Sequence, residues 1–267
     1  YTNPSKYKRS KIISITYKSK LIMNNNQTVE KLRTMRLTGM ADIHLNHLKT
    51  NQMDQHTPDE YLALLTDHEY EYRHNKKVDR LINSASFRQS ASIAQVDYAT
   101  QRNLEKNMFN RLGSLEFIKQ KQNIILTGPS GVGKSYLAQA IGNQACMMAH
   151  SVSYQTTARL FNKLKLAKLD GTYLKELKKL AKTDLLILDD FGLQAFDSHA
   201  REALMDIIDD RFDQNSTIIA SQIPVSVWYD IIGEGTIADA ILDRLVNSSH
   251  RIDLKGESLR KGYLKQN

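Results

Sequence analysis

The chain has 267 residues, 41% hydrophobic and 25% charged, an ordinary globular composition with room for one large domain or two smaller ones. A single cysteine, Cys146, excludes a disulfide framework and a Cys-based metal site and suits a reducing cytoplasm, and no apolar run approaches a membrane span. The net charge of +8 is uneven: residues 1–22 hold six basic side chains and no acid, so local clusters, not the total, must carry any case for nucleic-acid binding.

Residues 1–22 read as a disordered basic arm, or as an extension upstream of a start at Met23. Over 23–95 the pattern is helical. Val29, Leu32, Met35 or Arg36, and Met40 follow a three-to-four spacing, and Thr57-Pro58-Asp59-Glu60 reads as a helix start with Thr57 as cap and Glu60 closing a capping box. Basic and acidic residues balance over 23–96 at nine each, which fits a small helical domain with a solvated face. The Ser-, Ala- and Gln-rich stretch 83–100 reads as a linker. The eight histidines, scattered without ligand spacing, read as surface or satisfied core residues.

From 96 to 267 the pattern is α/β. Helical residues 101–119 precede a strand at 123–127, and further strands are expected at 151–156, 184–190, 217–220 and 251–254. Helices are expected at 136–148, in a basic stretch ending at 182, at 198–212 and at 236–247. Strands alternating with helices predict a parallel, doubly wound sheet, with ligands at the carboxyl ends of its strands.

Three of those strand ends carry chemistry. The first strand feeds Gly128-Pro129-Ser130-Gly131-Val132-Gly133-Lys134-Ser135, which fits the phosphate-loop pattern in its required strand–loop–helix context. Its N–H groups and the helix start would cradle the phosphates of ATP, with Lys134 reaching the β- and γ-phosphates and Ser135 ligating Mg²⁺. The third strand, Leu185 to Leu188, is fully apolar and ends in Asp189-Asp190. Asp189 is the expected partner of Mg²⁺, and Asp190 the group that orients or deprotonates the attacking water. Ser221 and Gln222 end the fourth strand, where a polar side chain can report on the γ-phosphate. Arg244 and Arg260 remain to be placed; by spacing alone each reads as a surface arginine.

A basic cluster occupies 159–182: Arg159, Lys163, Lys165, Lys168, Lys175, Lys178, Lys179 and Lys182, against Asp170 and Glu176. The last four lysines share one helix face, with Leu174, Leu177 and Ala181 on the face toward the core. Such a stripe suits either a solvated face or contact with a phosphate backbone, and the scarcity of aromatics favours duplex over single strands.

Taken together these stretches resemble the IstB-like branch of AAA+ ATPases, helpers of insertion-sequence transposition related to the DnaC-type helicase loaders. The most specific pieces are Ser221-Gln222-Ile223-Pro224-Val225 with Trp228, Thr236 to Val246, and Leu254-Lys255-Gly256-Glu257-Ser258 to Lys261. The resemblance implies a helical N-terminal domain over 23–95 that helps subunits associate, and a P-loop AAA+ domain over 96–267 with ATP and Mg²⁺ between subunits of a homo-oligomer. It implies that Arg244 is an arginine finger acting in trans, that Arg260 is a second sensor, and that the basic insert lines a double-stranded DNA path. The implied partner is a cognate transposase, in the cytoplasm and away from membranes. A helicase loader preferring single strands is the alternative. A small-molecule P-loop kinase is a third reading, for which the sequence offers neither acceptor pocket nor lid.

Overall fold

The computed structural model describes residues 26–50, 52 and 55–259, so the basic arm 1–22 and Arg260 lie outside the described residues. The chain forms two compact units that divide between Lys77 and Val78. The first holds α1 (26–34), α2 (Thr38–Thr50) and most of α3 (Pro58–Ala85). The capping box closes as expected: Glu60 accepts from the Thr57 N–H at 2.8 Å, and Thr57 Oγ1 accepts from the Glu60 N–H at 3.4 Å. Gly39 lets α2 approach α3 closely, since a Cβ there would lie 2.9 Å from the Glu69 Cα and the His68 carbonyl. The buried Glu69 carboxylate accepts from the Met40 N–H and pairs with Arg73 Nε at 2.6 Å.

Two histidines of this unit depart from expectation, while His68 and His74 lie at the surface as expected. His44 and His47 are buried, and although His44 Nδ1 meets the Tyr61 hydroxyl at 2.7 Å, His44 Nε2 and His47 Nδ1 have no hydrogen-bond partner among the described residues. Burial, and after it the charge of His47, holds the His44 pKa below its usual value.

The second unit is built on five parallel strands: β1 (Asn123–Thr127), β2 (Val152–Thr156), β3 (Leu185–Phe191), β4 (Ser216–Ser221) and β5 (Ser249–Asp253), in the order β2-β3-β4-β1-β5. The helices are α4 (Lys106–Gly113), α5 (Glu116–Lys119), α6 (Lys134–Met147), α7 (Thr157–Leu169), α8 (Tyr173–Ala181), α9 (Ser198–Arg211), α10 (Trp228–Ile232) and α11 (Gly235–Val246). The helical stretch expected at 101–119 begins only at Lys106 and is divided into α4 and α5 where Leu115 takes a positive φ of 62°. The apolar strands bury both faces, as a covered parallel sheet requires. Ile124, Leu126, Leu185, Ile187, Ile218 and Ala220 pack with α4, α5 and α6, while Ile125, Leu186, Leu188 and Ile219 pack with α7 to α11.

The stretch expected as a linker is largely packed. Ala85, Ala91 and Val96 are buried, Gln139 of α6 accepts from the Arg88 N–H at 2.7 Å, and Asn143 donates to the Ala91 carbonyl at 3.0 Å. The basic insert is two helices, not one. Asp170 and Gly171 break it, with Gly171 at a φ of 76° and Asp170 Oδ1 accepting from the Thr172 N–H. The core face of α8 is Leu177 and Leu180, and Leu174, expected inside, is 68% exposed. Leu174 sits roughly 120° around the helix from Leu180, so the two cannot share a narrow buried stripe.

Candidate functional site

Residues 128–135 leave β1 and enter α6 on the sheet edge defined by the strands' carboxyl ends. Gly133 holds a φ of 99°, a conformation open to glycine at little cost, and its missing Cβ makes room for the Arg102 guanidinium, which would lie 2.5 Å from it. Lys134 is buried, and its Nζ donates to the carbonyls of Gly128 and Pro129 at 2.7 Å each. The C-terminal stretch folds back over the loop, where the Leu259 N–H donates to the Gly131 carbonyl at 3.0 Å.

Strand β3 brings its carboxylates to the same place. The ladder between β3 and β4 carries a bulge between Leu188 and Phe191. Strict alternation would send Asp189 and Asp190 to opposite faces of the sheet. Asp189 follows Leu185 and Ile187 toward α6, where its Oδ1 accepts from Ser135 Oγ at 3.0 Å and from the Asp190 N–H at 2.9 Å. Asp190 instead takes a φ of 55°, and the bulge re-aims its side chain into the cleft. On β2 the buried Tyr154 hydroxyl donates to Asp189 Oδ2 at 2.5 Å. Burial first, and then that bond, push the phenol pKa well above its ordinary value, so the hydroxyl stays a donor. Arg88 lies over the Tyr154 ring, 6.0 Å from its centroid, and 3.9 Å from Asp190 Oδ2.

Asp190 and part of the loop line a cleft of about 580 Å³, which Asp189 meets only through its bond to Ser135. It gathers Ser130, Gly131, Gly133, Lys134, Ser135 and Asp190 from the expected set, and adds Gln95, Asp97 and Arg102 from the stretch before α4, with Leu259 from the far end. Ser221 is not among them. It is fully buried, its hydroxyl donates to the Phe191 carbonyl at 2.7 Å and accepts from the Ile223 N–H, and Gln222, one residue past the strand end, faces the cleft instead. Arg244 also stands apart from the cleft, on the last turn of α11, 3.2 Å from Asp209 and over the Phe212 ring.

Residues 30–266 match the family described as IstB-like ATP binding protein. The chain belongs to that family. The insertion-sequence ATP-binding protein y4pL of Sinorhizobium fredii is 45% identical over 88% of this chain and 96% of its own length. The insertion sequence IS1162 ATP-binding protein of Pseudomonas fluorescens is 39% identical over 76% of this chain and 89% of its own. Among solved structures, the DnaC helicase loader superposes with a TM-score of 0.50 at 22% identity, over 62% of this chain and 97% of that one. DnaA of Aquifex aeolicus superposes with 0.53 at 18%, over 68% of this chain and 56% of that one. At such identities the structures establish a shared fold, the P-loop AAA+ α/β domain, which an IstB-like chain here couples to a helical N-terminal region. No helix among the described residues is long and apolar enough to cross a membrane.

The basic insert divides by pairing. Lys163 pairs with Glu176 and Lys168 with Glu202, each at 2.5 Å, and Lys165 lies 3.9 Å from Asp197. Lys175, Lys178, Lys179 and Lys182 are exposed, and no salt bridge ties them among the described residues. Behind them Arg211, 2% exposed, anchors the end of α8 by donating to the carbonyls of Leu180 at 2.5 Å and Thr183 at 2.8 Å, while Nε donates to Thr217 Oγ1 of β4. Burial pulls its pKa down to about 10.

Proposed function

We propose that this protein is an ATPase that assembles as a homo-oligomer on double-stranded DNA and presents that DNA to its cognate transposase in the cytoplasm. The observation that carries this reading is the convergence of Lys134, Ser135 and Asp190 on one cleft, with Asp189 bonded to Ser135 behind it, in a chain whose relatives are named for insertion sequences and ATP binding. Residues 128–135 would hold the phosphates of ATP, with Lys134 exchanging the Gly128 and Pro129 carbonyls for phosphate oxygens. Ser135 Oγ and Asp189 Oδ1, 3.0 Å apart, are hard oxygen donors suited to Mg²⁺, which neutralises charge on the phosphates when bound. Asp190, at the rim, is placed to orient water.

The remaining roles follow from the same reading. Arg244 of one subunit leaves Asp209 to reach the nucleotide of its neighbour, and Arg260 acts as the second sensor. The helical unit over 23–95 helps subunits associate. Lys175, Lys178, Lys179 and Lys182 contact the duplex backbone, with Lys163, Lys165 and Lys168 contributing once their carboxylate partners yield.

The test is sedimentation of the protein with duplex and with single-stranded DNA, with and without ATP, beside Lys134→Ala. Large assemblies on duplex that need ATP, and that Lys134→Ala does not form, support the reading. Normal assembly by Lys134→Ala refutes the nucleotide switch. A preference for single strands, or assembly only with an added helicase, turns the reading to a helicase loader.

A further inference from the structure

The phosphate-loop pattern names eight consecutive residues, but one peptide plane of that loop is held from outside it. The Val132 carbonyl accepts from Arg102 Nη1 at 3.1 Å. A trans peptide is planar, so fixing its oxygen also fixes the direction of the N–H on the opposite side, here that of Gly133. Gly133 lines the cleft, and its N–H is one of the donors a phosphate would meet. Arg102 comes from the stretch between residue 96 and α4, which carries no recognisable motif.

Arg102 is 4% exposed and lines the cleft, yet no carboxylate forms a salt bridge with it among the described residues. Its second backbone contact is the Asp97 carbonyl, which accepts from Nη2 at 2.6 Å, and Nε has no hydrogen-bond partner among them. The Asp97 carboxylate is engaged by the Ala99 N–H and the Thr100 hydroxyl. A buried guanidinium is expensive unless a counter-charge lies near it. Burial lowers the pKa of this one, and Asp97 offsets that only in part. Arg211, the other deeply buried arginine described, uses all three nitrogens on protein acceptors and touches no cleft of comparable size. Arg102 is left with incomplete bonding beside the phosphate loop.

We propose that Arg102 is a nucleotide-positioning residue: its guanidinium aims the Gly133 N–H through the Val132 carbonyl, and the polyphosphate in the cleft supplies its counter-charge. The inference rests on the ATP reading above and extends it to a residue outside the loop. A residue of this kind trades stability of the empty protein for affinity, whereas a purely structural arginine stabilises both forms alike.

The experiment compares the full chain with Arg102→Gln and Arg102→Lys by calorimetric titration with ATP and with ADP, and by thermal unfolding with and without nucleotide. Arg102→Gln is expected to weaken both nucleotides at least tenfold while leaving the empty protein's melting temperature unchanged or raised. Arg102→Lys, which keeps the charge but loses the fork, should fall between the two. In hydrolysis assays Arg102→Lys should raise KM with kcat held within about threefold, since the contact is made equally in ground and transition states. Parental affinity in Arg102→Gln, or melting lowered equally with and without nucleotide in both variants, overturns the proposal alone. Failure of the parent chain to bind ATP overturns the ATP reading and this proposal with it.

Discussion

Replacing Tyr154 by Phe tests whether Asp189 is held in place by its neighbours. The ring would keep its packing near Phe87 and beneath Arg88, so the change removes a hydroxyl and little else. Asp189 is 2% exposed, and its two oxygens are not equally served: Oδ1 accepts from Ser135 and from the Asp190 N–H, whereas Oδ2 accepts from Tyr154. A hydrogen bond to a buried charged group contributes about 1.5–3 kcal/mol, and its loss leaves Oδ2 short of its donor. For a unit of this size 1 kcal/mol moves the melting temperature by roughly 2–4 °C, so Tyr154→Phe should melt about 3–12 °C lower by calorimetry. The same loss frees the carboxylate to rotate away from Ser135, so magnesium-dependent ATP binding should weaken as well. In an Asp189→Asn background the hydroxyl no longer meets a charge, and the cost of Tyr154→Phe should shrink by about 1 kcal/mol or more. Additive losses across that cycle, or an unshifted melting curve in Tyr154→Phe, would refute the reasoning.

Three further outcomes are expected. Replacing Lys175, Lys178, Lys179 and Lys182 by Ala should lower the slope of log affinity for duplex against log salt by about 3–4, near 0.9 for each phosphate no longer neutralised, while Lys163→Ala, whose partner is Glu176, should change it less; equal slopes would move the DNA elsewhere. His44 has a folded-state pKa below its unfolded value, so the unfolded chain takes up the proton first, and stability of the first unit should fall as the pH drops below about 6.5. Unfolding curves between pH 7.5 and roughly pH 5 should show that fall, and His44→Gln should flatten it. Gly39→Ala would place a Cβ 2.9 Å from the Glu69 Cα and the His68 carbonyl, and should destabilise the first unit by about 1–3 kcal/mol in denaturant titrations; no loss would mean α2 and α3 are not in close contact there.

What could be read along the chain was what depends on neighbours in sequence. The apolar runs at 123–127 and 185–188 reveal their strands because a strand covered on both faces tolerates little else, and the phosphate loop announces itself because backbone curvature there demands glycine at fixed spacing. The Thr57–Glu60 capping box is local in the same sense. What stayed hidden depends on strand order and register. Tyr154 lies on β2, and its reach to Asp189 follows only once β2 pairs with β3 so that Thr156 stands opposite Asp189 and Tyr154 opposite Ile187. Arg102 meets Val132 across 30 positions of sequence.

Single-residue geometry was hidden too, and it matters more for chemistry than for fold. An alternating strand would have parted Asp189 from Asp190, and an unbroken β4 pattern gives Ser221 and Gln222 equal standing. One bulge decides the first pair, and one buried hydroxyl bond to Phe191 decides the second. Both decisions fall at residues 189–191 and 221–222, where β3 and β4 end side by side and Phe191 stands opposite Ser221. The bulge that turns Asp190 toward the cleft therefore shares its ladder position with the bond that turns Ser221 away from it. A change that straightens β3 should misplace both groups at once, which makes the strand ends, rather than either carboxylate alone, the unit on which this site is built.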